Sequence, residues 1–203
     1  MTDPPARREE ILASAAELFA RKGIKATTVR EIGDAVGVQS GSLYYHFESK
    51  DAMAWEILMD FLTAIQDRYA KALADTKDAA DALRQLVLAS LQLTSEKPHA
   101  TTIYQNELAY LREDPRFGEV QAASAGVRQA WLDVIERGVA AGAFRDDVSP
   151  RVFHRLVRDA VWLSGRWHHA SEGDHSAEQL ADDITSIFLH GFAARPAADE
   201  PAG

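Results

Sequence analysis

The sequence predicts an all-α fold of about nine helices: an N-terminal three-helix helix-turn-helix unit followed by a larger helical domain. Three observations predict it. Ala, Leu, Glu, Asp and Arg dominate the chain, and strand-like alternation is scarce. Apolar residues recur at intervals of three and four, the spacing of one helix face. Helix-start and helix-stop signals also bracket these apolar stretches along the whole chain.

The first helix spans roughly residues 6–22, with Ile11, Leu12, Ala15, Leu18 and Phe19 on one face and Gly23 as its stop. Thr28, with Glu31 three residues on, forms a capping box that opens the second helix, which ends near Val36–Gly37. Ser40 is expected to cap a third, short helix reaching Phe47. Ser49 caps a long fourth helix from Lys50 to about Ala74, with Trp55, Leu58, Met59, Leu62, Ile65 and Tyr69 on its apolar side. "DALRQLVLASLQL" is the fifth helix, ending before Pro98, and "TTIYQNELAYL" the sixth. Asp114 and Pro115 open the seventh, which runs to about Ala141 before Gly142. Ser149 and Pro150 open the eighth, and Ser176 with Gln179 opens the ninth through a second capping box. The tail, 194–203, reads as disordered. The expected domains are therefore 1–49, helix-turn-helix, and 50–193, a larger helical domain.

The chain has 203 residues and 46% apolar content, enough to bury a substantial core. Its net charge of −9 argues at first against a nucleic-acid ligand. The distribution changes that reading. Residues 1–50 hold seven Lys/Arg and seven Asp/Glu, so the whole excess of acid lies beyond them. A neutral N-terminal unit can present a local basic face. Cysteine is absent, which excludes disulfides and thiol chemistry. No apolar run approaches the roughly 18 residues of a membrane span, and the N-terminus lacks an apolar leader segment, so a cytoplasmic protein is expected.

In the third helix, Leu43 and Phe47 are four apart and can dock on the first two helices with Ile32, Val36 and Val38. Ser40, Gly41, Ser42, Tyr44, Tyr45 and His46 then face outward at least in part, offering hydroxyl and imidazole groups to phosphates and base edges. Arg30 and Lys50 flank that surface as phosphate contacts. The plainer reading gives Tyr44 and Tyr45 some packing role, and leaves His46 open between a structural contact and a phosphate.

The segment "TTVREIGDAVGVQSGSLYYHFESKDAM" resembles the N-terminal domain of the TetR family of one-component transcriptional repressors. The resemblance implies an all-α homodimer that binds a palindromic operator and is released by a small effector, with 50–193 as the ligand-binding and dimerisation domain. It puts the DNA-contacting positions on Thr28, Arg30, Ser40, Gly41, Ser42, Tyr44, Tyr45, His46 and Lys50. Dimerisation is expected through the last two helices, whose apolar surface exceeds what one domain face can hide.

The effector site is sought where apolar walls meet a few convergent polar groups. Tyr69, Tyr104, Gln105, Asn106, Glu107 and Trp131 are candidates. The eighth helix threads Arg155, Arg158 and Arg166 among Trp162, Leu163 and Trp167. Arg155, Asp159, Trp162 and Arg166 form one stripe, suited to an anionic ligand with a flat ring. The plainer reading pairs these arginines with Asp159, Asp182 or Asp183 at a dimer interface. "IYQNE", "DPRF", "WLDVIERGVAAGAFRDD" and "RDAVWLSGRW" resemble the acyl-CoA-responsive TetR subgroup, which includes actinobacterial repressors of steroid-ring degradation. That resemblance implies a CoA-thioester effector at Arg158 and Trp162, with the acyl group open between fatty-acid and steroid-ring catabolism. The ligand candidates are thus Arg158, Trp162, Arg166, Tyr69, Tyr104 and Trp131.

His168, His169 and His175 invite a metal, but adjacent helical histidines diverge and no carboxylate sits at the required spacing, so no metal is expected. There is no nucleophile elbow and no glycine-rich phosphate loop, so neither catalytic residues nor a cofactor is expected. Two alternatives stay open: a regulator of drug efflux with a lipophilic, non-CoA ligand, and a helical enzyme or carrier with no DNA role.

Overall fold

The computed structural model describes residues 4–74, 76, 78–168 and 176–191. Among these there are ten α-helices and one 3-10 turn, and no strand. They are α1 (Pro4–Lys22), α2 (Val29–Val36), α3 (Ser40–His46), α4 (Lys50–Leu73), α5 (Ala79–Glu96), α6 (Pro98–Asn106), α7 (Leu108–Glu113), α8 (Gly118–Ala140), α9 (Pro150–His168) and α10 (Ala177–His190). The 3-10 turn, Pro115–Phe117, leads directly into α8.

Local chemistry accounts for most boundaries. Both capping boxes form, Thr28 with Glu31 and Ser176 with Gln179. Ser49 accepts from the Ala52 amide at the start of α4, and Asp78 accepts from that of Asp81 at the start of α5. Three expectations are corrected. Ser40 is the first residue of α3 rather than its cap; Gln39 holds the cap position without a side-chain bond. The sixth helix starts earlier, at Pro98, and divides at Glu107, where the backbone leaves helical geometry and yields the tenth helix. Asp114 and Pro115 open a 3-10 turn before the long helix, not the helix itself. The tail 194–203, His169 and His175 lie outside the described residues.

The turn between α2 and α3 is sharp. Gly37 takes a left-handed φ of 70°, and its amide bonds back to the Asp34 and Gly33 carbonyls. Gly33 is needed for proximity: a Cβ there would lie 2.8 Å from the Val38 carbonyl oxygen. Ile32, Leu43 and Phe47 are buried beneath this turn with Ile11, Leu18 and Phe19 of α1.

One continuous apolar core runs from these residues through α4 into the rest of the chain. α4 contacts α1 and α6 as well as α5 and α8. Met53, Ala54, Ile57, Leu58, Phe61, Leu62, Ile65 and Tyr69 are its buried positions; Trp55 and Met59, expected on the same side, are half-buried. In the N-terminal part of α4, Arg8 of α1 forks onto Glu56, with one bond at 2.6 Å, and lies 4.4 Å from the Phe47 ring centroid. Arg7 donates to the Val36 carbonyl at 2.7 Å, closing the end of α2.

Deeper in the bundle, a buried polar chain joins α8, α4 and α5. The Trp131 indole N–H donates to the Tyr69 hydroxyl at 2.9 Å; that hydroxyl meets Ser90 Oγ at 2.6 Å, and Ser90 bonds the Leu86 carbonyl at 2.7 Å. Burial pushes the Tyr69 phenol well above its ordinary range, so it stays protonated. Tyr69→Phe removes the shared hydroxyl and leaves the Trp131 donor buried without it. The expected loss is about 1–3 kcal/mol in urea unfolding; an unchanged midpoint would show that the chain contributes nothing.

Candidate functional site

Two surfaces carry the chemistry, one at each end of the molecule's polar network. The first is α3. Leu43 is fully buried and Phe47 nearly so, which anchors the helix, while Tyr44 is 58% exposed and Tyr45 89% exposed. Gly41 and Ser42 are exposed, Ser40 and His46 half-exposed. The Tyr45 and His46 rings meet edge-on at 5.4 Å between centroids. Nothing lies within 4 Å of a Cβ built on Gly41, so the start of α3 is open to close approach. Arg30 projects from α2 with its side chain 85% exposed, opposite Asp34 at 3.8 Å. Thr28 is exposed, but its hydroxyl serves the capping box.

Lys50 is placed differently from the rest. Its ammonium donates to the carbonyls of Ile24, Lys25 and Thr27 at 2.7, 2.9 and 2.7 Å. Three donors meet three acceptors, so Lys50 pins the turn ahead of α2. Below that turn, Glu31 bonds Lys22 and the Thr28 amide and hydroxyl, and these contacts lower its pKa to about 2.

The second surface is a cleft between α6, α7, α8 and α9. Its wide, open lobe, about 600 Å³, is lined by Arg112, Arg128, Arg151, Arg155 and Arg158, together with Gln129, Leu132 and His154. A lobe of about 270 Å³ continues along Tyr104, Leu111, Val120, Gln121 and Ser124. A third, of about 210 Å³, is bounded by Tyr104, Gln105, Asn106, Trp162 and Leu163. Arg158 and Trp162 border both the narrow channel of about 40 Å³ and the third lobe. Among the described residues, Arg112, Arg128, Arg151 and Arg155 make no ion pair or hydrogen bond; Arg158 is held by its neighbour Asp159 at 2.6 Å. Asp182, expected to pair with an α9 arginine, instead holds Arg84 of α5. An arginine-rich cleft within the acidic part of the chain is a local concentration of positive charge that can attract an anion.

The aromatic wall is tightly fitted. Phe61, Tyr104 and Trp162 stack mutually, with centroids 5.6, 5.7 and 6.0 Å apart. The Tyr104 hydroxyl meets Ser124 Oγ at 2.6 Å, and Gln105 donates to the Trp162 carbonyl at 3.0 Å. Of the expected ligand residues, Arg158, Trp162, Tyr104 and Trp131 come together here. Tyr69 does not reach the cleft; it stands behind Trp131 as that residue's buried partner. The Arg166 side chain lies outside the described residues. Sequence reading missed Arg112, Arg128, Arg151 and His154. A signal existed for one of them: Gln121, Ser124, Arg128 and Trp131 are spaced three, four and three, a polar stripe ending on a buried indole.

Two elements tie the flank of the cleft to the start of α4. Tyr110 of α7 donates to Asp51 at 2.8 Å, and Arg116 of the 3-10 turn bonds the other oxygen of that carboxylate at 2.6 Å. Burial and the Asp51 carboxylate push the Tyr110 phenol up to about 12, keeping it a donor. Among the described residues, no group of three or more His, Asp or Glu is arranged to hold a metal, and no helix is long and apolar enough to cross a membrane.

His154 supplies a pH dependence. It is buried against the Trp131 ring at 6.0 Å. Burial first, then Arg158 and Arg128, push its pKa from 6.5 down to about 4. The unfolded chain therefore binds a proton that the folded chain refuses, so stability falls as pH drops from about 6.5 towards 4. In His154→Gln the fall in urea midpoint across that window should be smaller than in wild type. Equal slopes would mean that the histidine is not held neutral.

Comparison with known proteins agrees with this geometry. Residues 11–57 match the family described as bacterial regulatory proteins, tetR family, and residues 76–192 match the tetracyclin repressor-like C-terminal domain. The chain is 39% identical over 191 residues to the HTH-type transcriptional repressor KstR2 of Mycolicibacterium smegmatis, covering 94% of this chain and 93% of the relative. It is 38% identical over 201 residues to KstR2 of Rhodococcus jostii, covering 95% and 98%. The solved structure of the ketosteroid transcriptional regulator KstR2 of Mycobacterium tuberculosis superposes with a TM-score of 0.83 at 35% identity, over 95% of this chain and 98% of that one. The exposed recognition helix and the helical cleft are thus those of a transcriptional repressor rather than an enzyme, and the chain belongs to the TetR family.

Proposed function

We propose that this repressor acts as a homodimer on a palindromic operator and leaves it on binding a CoA thioester, with a ketosteroid-derived acyl group as the best-supported class. The observation that carries the reading is the cleft itself: five arginines, four without an ion pair among the described residues, beside a wall of Tyr104, Trp131 and Trp162. Coenzyme A offers a diphosphate and a ribose phosphate to guanidinium groups and an adenine ring to aromatic faces. The two lobes beyond Arg158 would take the acyl end, and the similarity to KstR2, a ketosteroid regulator by name, favours a steroid-ring acid there. A cytoplasmic location fits a protein that acts on DNA.

On the DNA side, α3 enters the major groove, and Ser40, Gly41, Ser42, Tyr44, Tyr45 and His46 meet bases and phosphates, with Thr28 and Arg30 on the backbone. Lys50 contributes charge while fixing the turn before α2. The dimer forms through α9 and α10. Val152, Leu156 and Leu163 lie at spacings of four and seven on α9 and, with Ile187 of α10, are about half exposed. A symmetry mate would cover them. The effector shifts the population towards the form that does not fit DNA, by binding that form more tightly.

Two measurements test this. Fluorescence anisotropy on the DNA upstream of its own gene should show tight binding, weakened at least about tenfold by Arg30→Ala with Tyr44→Ala, since each loses a direct contact. Titration calorimetry should show the CoA thioester of a ketosteroid carboxylic acid binding far more tightly than the free acid. Arg128→Met with Arg155→Met should cost that binding at least about tenfold. Equal affinity for acid and thioester would overturn the CoA reading.

A further inference from the structure

Three consecutive residues at the start of α4 face three different jobs. Ser49 caps the helix through the Ala52 amide at 3.0 Å. Lys50 grips the turn before α2 through three carbonyls. Asp51 is gripped from the other side, one oxygen by Tyr110 and the other by Arg116. Its side chain is only 13% exposed, so both bonds act on a carboxylate largely shielded from water.

The far end of that grip is the cleft. Tyr110, Leu111 and Arg112 are consecutive on α7, and successive helical residues point about 100° apart. Leu111 and Arg112 line the cleft while Tyr110 reaches Asp51. α7 is one short helix between a break at Glu107 and the 3-10 turn, and Phe117 of that turn is buried against the Tyr110 ring, with centroids 5.7 Å apart. Gln121 of α8 fixes the Leu111 carbonyl at 2.8 Å. A ligand that draws Arg112 inward cannot leave Tyr110 unmoved, because six residues of helix behave as one rigid piece. Glu107, at the α6–α7 break, also abuts Gly23 at the end of α1.

We infer that α7 is a coupling strap, with Asp51 as its positioning residue: anion binding at Arg112 is passed through Tyr110 and Arg116 to Asp51, and through the adjacent Lys50 to the turn at residues 24–27. The strap gives the cleft a polar route to the recognition unit, beside any tilt of α4 as a whole. It rests on the effector reading above and adds the route by which that site reports to DNA.

The test uses full-length wild type, Tyr110→Phe and Asp51→Asn, with the coenzyme A thioester of a ketosteroid carboxylic acid as probe. Probe affinity is measured by calorimetry, and backbone amide exchange is followed at residues 24–28 and 50–53. In wild type, saturating probe should change exchange at 24–28. Both variants should bind the probe within about threefold of wild type yet lose at least about four-fifths of that change, and lose operator release in parallel. A merely structural role would lower stability but leave the exchange response intact. If the probe binds wild type and the response at 24–28 is absent, or persists in both variants, the strap is wrong. If the probe does not bind wild type, the effector reading fails and the strap falls with it.

Discussion

One helix has to satisfy two cores at once, and the rest of the molecule depends on how it does so. α4 is buried against α1 near its start and against α5 and α8 along its length, with no gap in the apolar cluster between them. Its two ends are also fixed by polar contacts. Arg8, Glu56 and Phe47 lock it to the DNA-side helices, and Tyr69, Trp131 and Ser90 lock it to the bundle. Close packing holds the helix in place, and directional hydrogen bonds add a single geometry, departure from which leaves groups unpaired. A movement of α8 or α9 around a ligand is therefore felt by α4 as a whole.

The cleft and the core share residues, which explains its shape. Trp131 faces the cleft with one side of its ring and donates into the core through Tyr69. Trp162 stacks on Phe61 of α4 and accepts from Gln105 through its carbonyl. The wall of the site is thus also the wall of the bundle. The channel that shares Arg112, Arg128 and Arg158 with the wide lobe is only about 40 Å³ and is walled by Trp131 and Trp162, whose partners Tyr69 and Phe61 lie on α4. Electrostatics runs in the same sense: the arginines of the cleft repel one another and add to the burial that keeps His154 neutral, and an anion among them would relieve that repulsion.

The local parts of this arrangement were legible in the sequence, and the convergent parts were not. Capping at Thr28–Glu31, Ser49 and Ser176–Gln179 depends on residues three apart and was readable directly. The division of α3 into buried Leu43 and Phe47 and exposed Tyr44 and Tyr45 followed from spacing alone. The break at Glu107 carries neither Gly nor Pro, so nothing local announced it. Periodicity put Tyr69 on the inner face of α4 but could not say whether a ligand or Trp131 met it there. Arg112, Arg128 and Arg151 sit on three separate helices, and each alone reads as a solvated charge; only their meeting at one cleft gives them meaning. Lys50 shows the same limit in another form, since nothing local in the sequence points to the three carbonyls that its ammonium meets.

If ligand in the cleft and spacing of the recognition helices are one equilibrium, the distance between the two copies of α3 must report both. The chain has no cysteine, so Glu48→Cys offers a single, exposed labelling position directly after α3, outside the residues proposed to meet DNA. Spin labels there, read by pulsed dipolar spectroscopy on the dimer, report the separation of the two recognition helices. A distance near one DNA turn, about 34 Å, is expected when operator is bound, and a distinct, shifted distribution when the CoA thioester is bound instead. Identical distributions in the two states, with the thioester shown to be bound, would contradict a single equilibrium.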